Sequence, residues 1–289
     1  MWKNKKFTIG GLGEVLWDIF SDTKKLGGAP ANFAAHVRQL GAKSCLLSAV
    51  GKDLLGQEAI TQLQQSRVDT SGVQVKENYA TGSVNVRLDP MGKPTYIIRE
   101  NVAWDNIEFD ANQKKIAQAL DAICFGTLAQ RNPISRNSIF NTLKSTNKNC
   151  LKVFDVNFRQ DFYNPKIVEQ SLNLANVIKM NGHEFLAIAN MLDISKNHKN
   201  GLQSIIRNFN LKFGIITLGE KGAVIANKYN YSYYQPNNTI KVKSTVGAGD
   251  AFSASAVIGW LYQKPLEQII KEASDLASYV CSHLEAVPK

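Results

Sequence analysis

One acid, Asp250, follows Gly247, Ala248 and Gly249 in the stretch KVKSTVGAGDAFSAS, and what comes after reads as an apolar helix of small residues. Backbone N–H groups at a helix start have no intrahelical partner, and the helix dipole adds partial positive charge there. Small residues at that point let an anion approach the main chain. Gly247, Ala248 and Gly249 are therefore a candidate anion hole. A carboxylate at its edge can take a proton from an alcohol while the hole offsets charge on a phosphoryl group in transit. The same four residues also suit an ordinary helix N-terminus with an acidic first turn, and composition alone leaves both readings open.

Other residues able to hold a polar ligand are spread along the chain. Asp18, in GEVLWD, is a carboxylate that can accept two hydroxyl protons, and Asn32 offers both a donor and an acceptor. Gly27 and Gly28 allow close approach of backbone to a ligand. Asn181 and Glu184, in NGHE, supply oxygens of the kind that hold hydrated Mg2+. Each has a plainer reading: Asp18 as a strand end, NGHE as a turn with a helix-start acid, and TLGEKG (Thr217 to Gly222) as a hairpin-like turn.

The elements that must position these residues follow an α/β pattern. KFTIGGLGEVLWDIF is a β-rich apolar run broken by glycines, APANFAAHVRQLGA reads as a helix closed by Gly41, and SCLLSAVG is a buried strand. DAICFGTL, CLKVFDVNF, NVIKMNGHEF and FGIITLGEKGAVIA repeat the theme of a short apolar strand followed by a polar or glycine-containing turn. The alternation predicts a largely parallel sheet with helices on both faces, and ligands beyond the carboxyl ends of the strands. One region departs from it. TGSVNVRLDPMGKPTYIIRE carries two alternating runs around DPMGKP, a hairpin signal. We expect one domain over residues 1–289, with a small β-sheet lid formed by insertions near 14–25 and 73–105.

Composition narrows the function classes. The 289 residues, 44% of them hydrophobic, support a sizeable core. No run approaches the roughly 20 apolar residues of a membrane span, and the start lacks a signal-peptide hydrophobic region; the expected location is cytoplasmic, with no membrane partner. The four cysteines stand singly in apolar surroundings and read as buried thiols, and the four histidines show no metal-ligand spacing. A net charge of +10 comes from dispersed lysines, with no basic stripe interleaved with aromatics, so no nucleic-acid partner is expected.

Taken together, these motifs resemble the ribokinase-like sugar kinases, also called phosphofructokinase-B type, along essentially the whole chain. GGAPANFAAHVRQLGA is similar to the family's first signature, with Gly27, Gly28 and Asn32 where relatives contact the sugar. STVGAGDAFSASAVIGWL is similar to the second, with Asp250 in the place of the catalytic base. The resemblance implies that Asp18 accepts sugar hydroxyls, that Asn181 and Glu184 organise Mg2+ and phosphates through water, and that Thr217, Gly219 and Gly222 form the nucleotide loop together with Gly247 and Gly249. VGKDLLGQEAI, RENVAWDNI, GTLAQRN and DVNFRQDFY resemble bacterial fructokinases in particular, which places Gln130, Asn157, Arg159 and Trp104 near the sugar or phosphoryl path. The fold it implies is a three-layer α/β/α domain with a β-sheet lid, paired lid to lid in a homodimer.

Two positions depart from the family. Ser244 stands where relatives carry an acid that helps to ligate an activating monovalent cation, and Glu285 stands where they usually have a glycine in a loop supplying carbonyls to that cation. Weak or absent potassium activation is the expectation, with Lys243 a candidate source of the missing charge. The expected reaction is transfer from ATP to a primary sugar hydroxyl, most simply O6 of D-fructose. The alternatives are a kinase of the same fold for ribose, 2-keto-3-deoxygluconate or a nucleoside, and a non-catalytic sugar-binding regulator.

Overall fold

A computed structural model of the chain describes residues 6–88, 94–236 and 240–289. The first part runs β1 (Thr8–Leu12), β2 (Leu16–Ile19), β3 (Lys24–Gly27), α1 (Ala29–Gln39), β4 (Lys43–Gly51), α2 (Leu54–Gln65) and β5 (Asp69–Lys76). Next come β6 (Gly82–Leu88), β7 (Pro94–Ile98), α3 (Ala111–Ala119), β8 (Ala122–Phe125), α4 (Pro133–Ser145), β9 (Leu151–Asp155), α5 (Pro165–Leu174) and β10 (Val177–Asn181). The last part holds α6 (Gly182–Met191), α7 (His198–Asn208), β11 (Phe213–Thr217), β12 (Ala223–Ala226), β13 (Tyr231–Tyr234), α8 (Ala248–Leu261) and α9 (Leu266–Cys281).

Nine strands build one sheet in the order β13-β12-β11-β10-β9-β8-β1-β4-β5. From β11 to β5 every pairing is parallel, and β12 and β13 add antiparallel at one edge. The apolar runs read as strands because both faces are covered. Along β8, Ile123 and Phe125 join the core under α4 to α7, while Ala122 and Cys124 join the core under α1, α8 and α9. Strand order reverses between β1 and β8. Such a switch point opens a crevice at the carboxyl ends of the strands.

Helix starts differ in how they are capped, and α9 begins on Pro265 with no side-chain cap. α2 to α7 each begin on an Asp or Asn whose side chain accepts an N–H of the first turn. α1 and α8 instead begin on Gly28 and Gly247, with no side-chain cap. Asn32 lies one turn inside α1. α8 is apolar all round because it is enclosed, packing on both α1 and α9.

A second sheet, in the order β3-β2-β6-β7, is assembled from two insertions. β2 and β6 pair in parallel, and β3 and β7 flank them antiparallel. The two alternating runs do pair as strands; the turn DPMGKP between them falls largely on residues 89–93, outside the described residues. The sheet is narrower than the 73–105 insertion expected from sequence. Residues 73–76 belong to β5, and Trp104 is fully buried in the main core. The guanidinium of Arg131 stacks on Trp104 at 4.1 Å and makes a double hydrogen bond to Asp105, so this tryptophan is a core residue and not a sugar contact.

Among the described residues no helix is long and apolar enough to cross a membrane. Cys45, Cys124 and Cys150 are buried free thiols, and Cys281 is half-buried.

Candidate active site

The uncapped starts of α1 and α8 come together. Asn32, on α1, donates from Nδ2 to Oδ2 of Asp250, on the first turn of α8, at 2.9 Å across 218 residues of sequence. At the α8 start, Gly247 adopts a left-handed φ of 82°, which L side chains resist, and a Cβ there would lie 2.2 Å from the carbonyl oxygen of Ala286. Ala248 donates a long bond, 3.4 Å, to the carbonyl of Thr245. The N–H groups of Gly249 and Asp250 fall in the first turn, where the helix offers no acceptor. Burial, reinforced by repulsion from Asp155, pushes the Asp250 carboxyl up to about 7, against the Asn32 hydrogen bond and the charges of Lys179 and Arg159.

Asp18 sits on β2, with its carboxylate against the bare Cα of Gly27; a Cβ there would lie 2.9 Å from Oδ2. Burial raises its pKa, and Arg159 and Lys25 oppose the rise. Gly28 has φ 102° and packs on the carbonyl of Glu14, 2.6 Å from where a Cβ would be. Asn157 follows β9 with φ 43°, a region Asn tolerates. Arg159 is exposed, and its charge acts on Glu14, Asp18 and Asp250.

Gln130 does not join them. It is fully buried, with Nε2 donating to the carbonyl of Gly126 at 2.7 Å and to Ser171 Oγ at 3.0 Å. Its amide ties the β8 exit to α5 and presents no face to a sugar, which corrects the sequence reading.

At the end of β10, Asn181 and Glu184 form a capping box. Asn181 Oδ1 accepts the Glu184 N–H at 2.9 Å, and Glu184 Oε2 accepts the Asn181 N–H at 2.7 Å. Oε1 of Glu184 accepts from the Phe158 N–H at 3.0 Å. Two spare lone-pair sites on this carboxylate suit the water shell of Mg2+. Among the described residues no three His, Cys, Asp or Glu side chains cluster to hold an ion alone. Thr217 ends β11, and Gly219 and Gly222, both at positive φ, turn the chain into β12.

Two features escaped the sequence reading. Glu14 is 2% exposed; Oε1 accepts the Ala29 N–H at 3.3 Å and Oε2 has no partner. The signal was an acid inside the apolar run IGGLGEVLW. Burial pushes its carboxyl up to about 7. A carboxyl with a raised folded pKa favours folding while protonated. That contribution is complete below the ordinary value of 4.5 and lost as pH rises through about 7, roughly 3 kcal/mol for Glu14. Glu14→Gln should therefore flatten the fall in melting temperature between about pH 5 and about pH 8; a fall equal to that of the unaltered protein would sink this assignment. The second missed feature is a lysine in mid-strand, in VIKMN. Lys179 is 7% exposed and donates to Asp155 Oδ1 at 3.0 Å, directly behind α8.

The C-terminal loop closes the site from behind. The backbone N–H groups of Lys243 and Ser244 donate to the Cys281 carbonyl at 2.8 and 3.3 Å, and Ser244 Oγ accepts the Val246 N–H at 3.2 Å. Lys25 Nζ donates to the Leu284 carbonyl at 3.0 Å, His36 Nε2 to that of Ala286 at 2.9 Å, and Gln39 Nε2 to that of Pro288 at 2.7 Å. An ammonium that reaches this loop is that of Lys25. With protein donors on these carbonyls, replacing sodium by potassium should change turnover by less than about twofold. A many-fold rise would overturn that expectation.

The sequence matches the pfkB family carbohydrate kinase profile over residues 8–288. An uncharacterized sugar kinase of Pyrococcus horikoshii is 32% identical over 277 residues, covering 90% of this chain and 84% of that one. Its crystal structure in complex with ATP superposes with a TM-score of 0.84, covering 96% of this chain and 94% of that one. A fructokinase of Salmonella typhimurium is 28% identical, covering 84% and 81%, and a 5-dehydro-2-deoxygluconokinase of Clostridium botulinum is 24% identical, covering 97% and 89%. With the uncapped starts of α1 and α8 joined by the Asn32–Asp250 bond, and this match along nearly its whole length, the chain belongs to the pfkB family of carbohydrate kinases.

Proposed function

We propose that this ATP-dependent sugar kinase phosphorylates a primary hydroxyl of an uncharged sugar, D-fructose at O6 first among the candidates. One observation carries the preference for a neutral substrate. Glu14, Asp18 and Asp250 share the charge of Arg159, Lys179 is held by Asp155, and Lys25 is held by the Leu284 carbonyl. A substrate carboxylate would meet three acids that already share one guanidinium. The fructokinase relative supports fructose; the 5-dehydro-2-deoxygluconokinase relative acts on an acid, which this charge pattern disfavours.

In this reading Asp18, with Gly27, Gly28 and Asn32, holds the sugar hydroxyls. Asp250 takes the proton of the attacking hydroxyl, and Asn32 fixes its orientation through the 2.9 Å bond. The N–H groups at the α8 start, from Ala248 to Asp250, receive the phosphoryl oxygens, with Arg159 adding charge from the loop after β9. Asn157 lines that loop. Thr217, Gly219 and Gly222 border the nucleotide. Mg2+, when bound with ATP, neutralises phosphate charge; Asn181 and Glu184 would hold it through water.

The small sheet acts as a lid that excludes water from the transfer. Ile97, on β7, is 44% exposed, and pairing of two lids in a homodimer would cover it. Sedimentation at the monomer mass would overturn the dimer.

The test is ADP release with Mg-ATP against fructose, ribose, glucose, 2-keto-3-deoxygluconate, 5-dehydro-2-deoxygluconate and adenosine. Fructose should give the highest kcat/KM. A preference for either acid would overturn the charge argument, and a preference for ribose or adenosine would remove the fructokinase assignment while leaving the kinase in place.

A further inference from the structure

Behind the anion hole lies a charge arrangement that substrate does not need to touch. Lys179 Nζ is 3.0 Å from Asp155 Oδ1, and Asp155 Oδ2 accepts from Ser253 Oγ, on α8, at 2.8 Å. Lys179 is 7% exposed, Asp155 4% and Ser253 1%. The ammonium packs under the first turn of α8, where a Cβ on Gly249 would lie 2.8 Å from Nζ. The bare Cα of Gly249 therefore has two sides, one open for an anion and one cleared for a buried cation. A salt bridge placed here for stability alone is a poor explanation, because apolar replacements of buried pairs are often as stable.

We propose that the buried Lys179–Asp155 pair is a fixed-charge positioning element for Asp250, deciding the pH range in which that carboxylate can accept the substrate proton. This rests on the reading of Asp250 as the base. The two charges act on Asp250 with opposite sign: Asp155 raises its proton affinity and Lys179 lowers it, with Asp155 the stronger. The other groups facing Asp250 are Asn32 from α1, Arg159 from the loop after β9, Glu14 from the β1–β2 loop and Cys124 from β8. None of these is bonded to the pair, so altering it leaves them in place.

The experiment is the acid limb of kcat/KM against pH for Asp155→Asn, Lys179→Met and the double variant, with Ser253→Ala as a control that keeps both charges. Asp155→Asn should move the limb to lower pH and Lys179→Met to higher pH, each by about one unit, while Ser253→Ala leaves it in place. The double variant leaves no unpaired buried charge, which guards against a single variant that fails to fold; its limb should move to lower pH by less than that of Asp155→Asn. Direct NMR titration of the Asp250 carboxyl in each variant gives the same answer without turnover. Shifts of one sign in both single variants, or none in any, would overturn the proposal. Asp250→Ala separates the two readings: if it keeps the activity and the limb, Asp250 is not the base; if it loses them while the pair variants behave like the unaltered protein, only the role of the pair fails.

Discussion

Replacing Asp250 by alanine should lower kcat by about a thousandfold, some 4 kcal/mol of transition-state stabilisation, while KM for ATP stays within about threefold. The split follows from geometry. In the proposed mechanism the backbone N–H of Asp250, which alanine keeps, serves the phosphoryl group, whereas the carboxylate, held by Asn32 at 2.9 Å, takes the hydroxyl proton. Asp250→Asn should be nearly as inactive, since an amide fills the same space and cannot take the proton. The measurement is coupled ADP release at saturating sugar, with circular dichroism to confirm the fold. A loss below about tenfold in kcat for both variants would remove Asp250 from the role of base.

Gly247→Ala should be the most damaging single-methyl change at the site. The residue sits at φ 82°, and the new Cβ would lie 2.2 Å from the Ala286 carbonyl oxygen. That oxygen cannot retreat freely, because His36 holds it and Lys25 and Gln39 hold its neighbours Leu284 and Pro288. The start of α8 must move instead, and with it the N–H groups proposed to receive the phosphoryl oxygens. We expect a loss of about a hundredfold in kcat/KM and of about 2 kcal/mol in stability, read by turnover and by urea unfolding. Gly249→Ala is the informative comparison. Its Cβ would meet the tip of Lys179, at 2.8 Å, which is the end of a flexible side chain. A smaller loss is expected there, and the reverse order would show that the C-terminal loop yields more readily than the buried lysine.

The elements and the chemical types in the site were legible from local pattern. Strands were legible because both faces of the large sheet are buried, so β4, β8, β9, β10 and β11 appear as short apolar runs ending at turns. Of the helix starts from α2 to α7 only that of α6 was read, from NGHE, although every cap there is local, an Asp or Asn reaching no more than three residues ahead. Glycines before Asp250, where a side-chain cap would otherwise stand, marked the exceptional helix start for the same local reason.

Tertiary structure alone decided which of these residues meet. The Asn32–Asp250 bond joins residues 218 apart, and nothing local to either predicts the other. Gln130 and Trp104 have residue types suited to a sugar, and packing put both in the core. Glu14 looked like part of a strand run until the Gly28 turn closed over it, and Lys179 became legible only once β9, β10 and α8 enclosed it with Asp155. Charge placement was the least readable feature, since the proton affinity of a carboxylate depends on burial and on neighbours brought by distant segments. The same holds for the C-terminal loop, to which a lysine from the distant β3 brings an ammonium. Local types state what chemistry is possible; the distances across the fold select which of it is used.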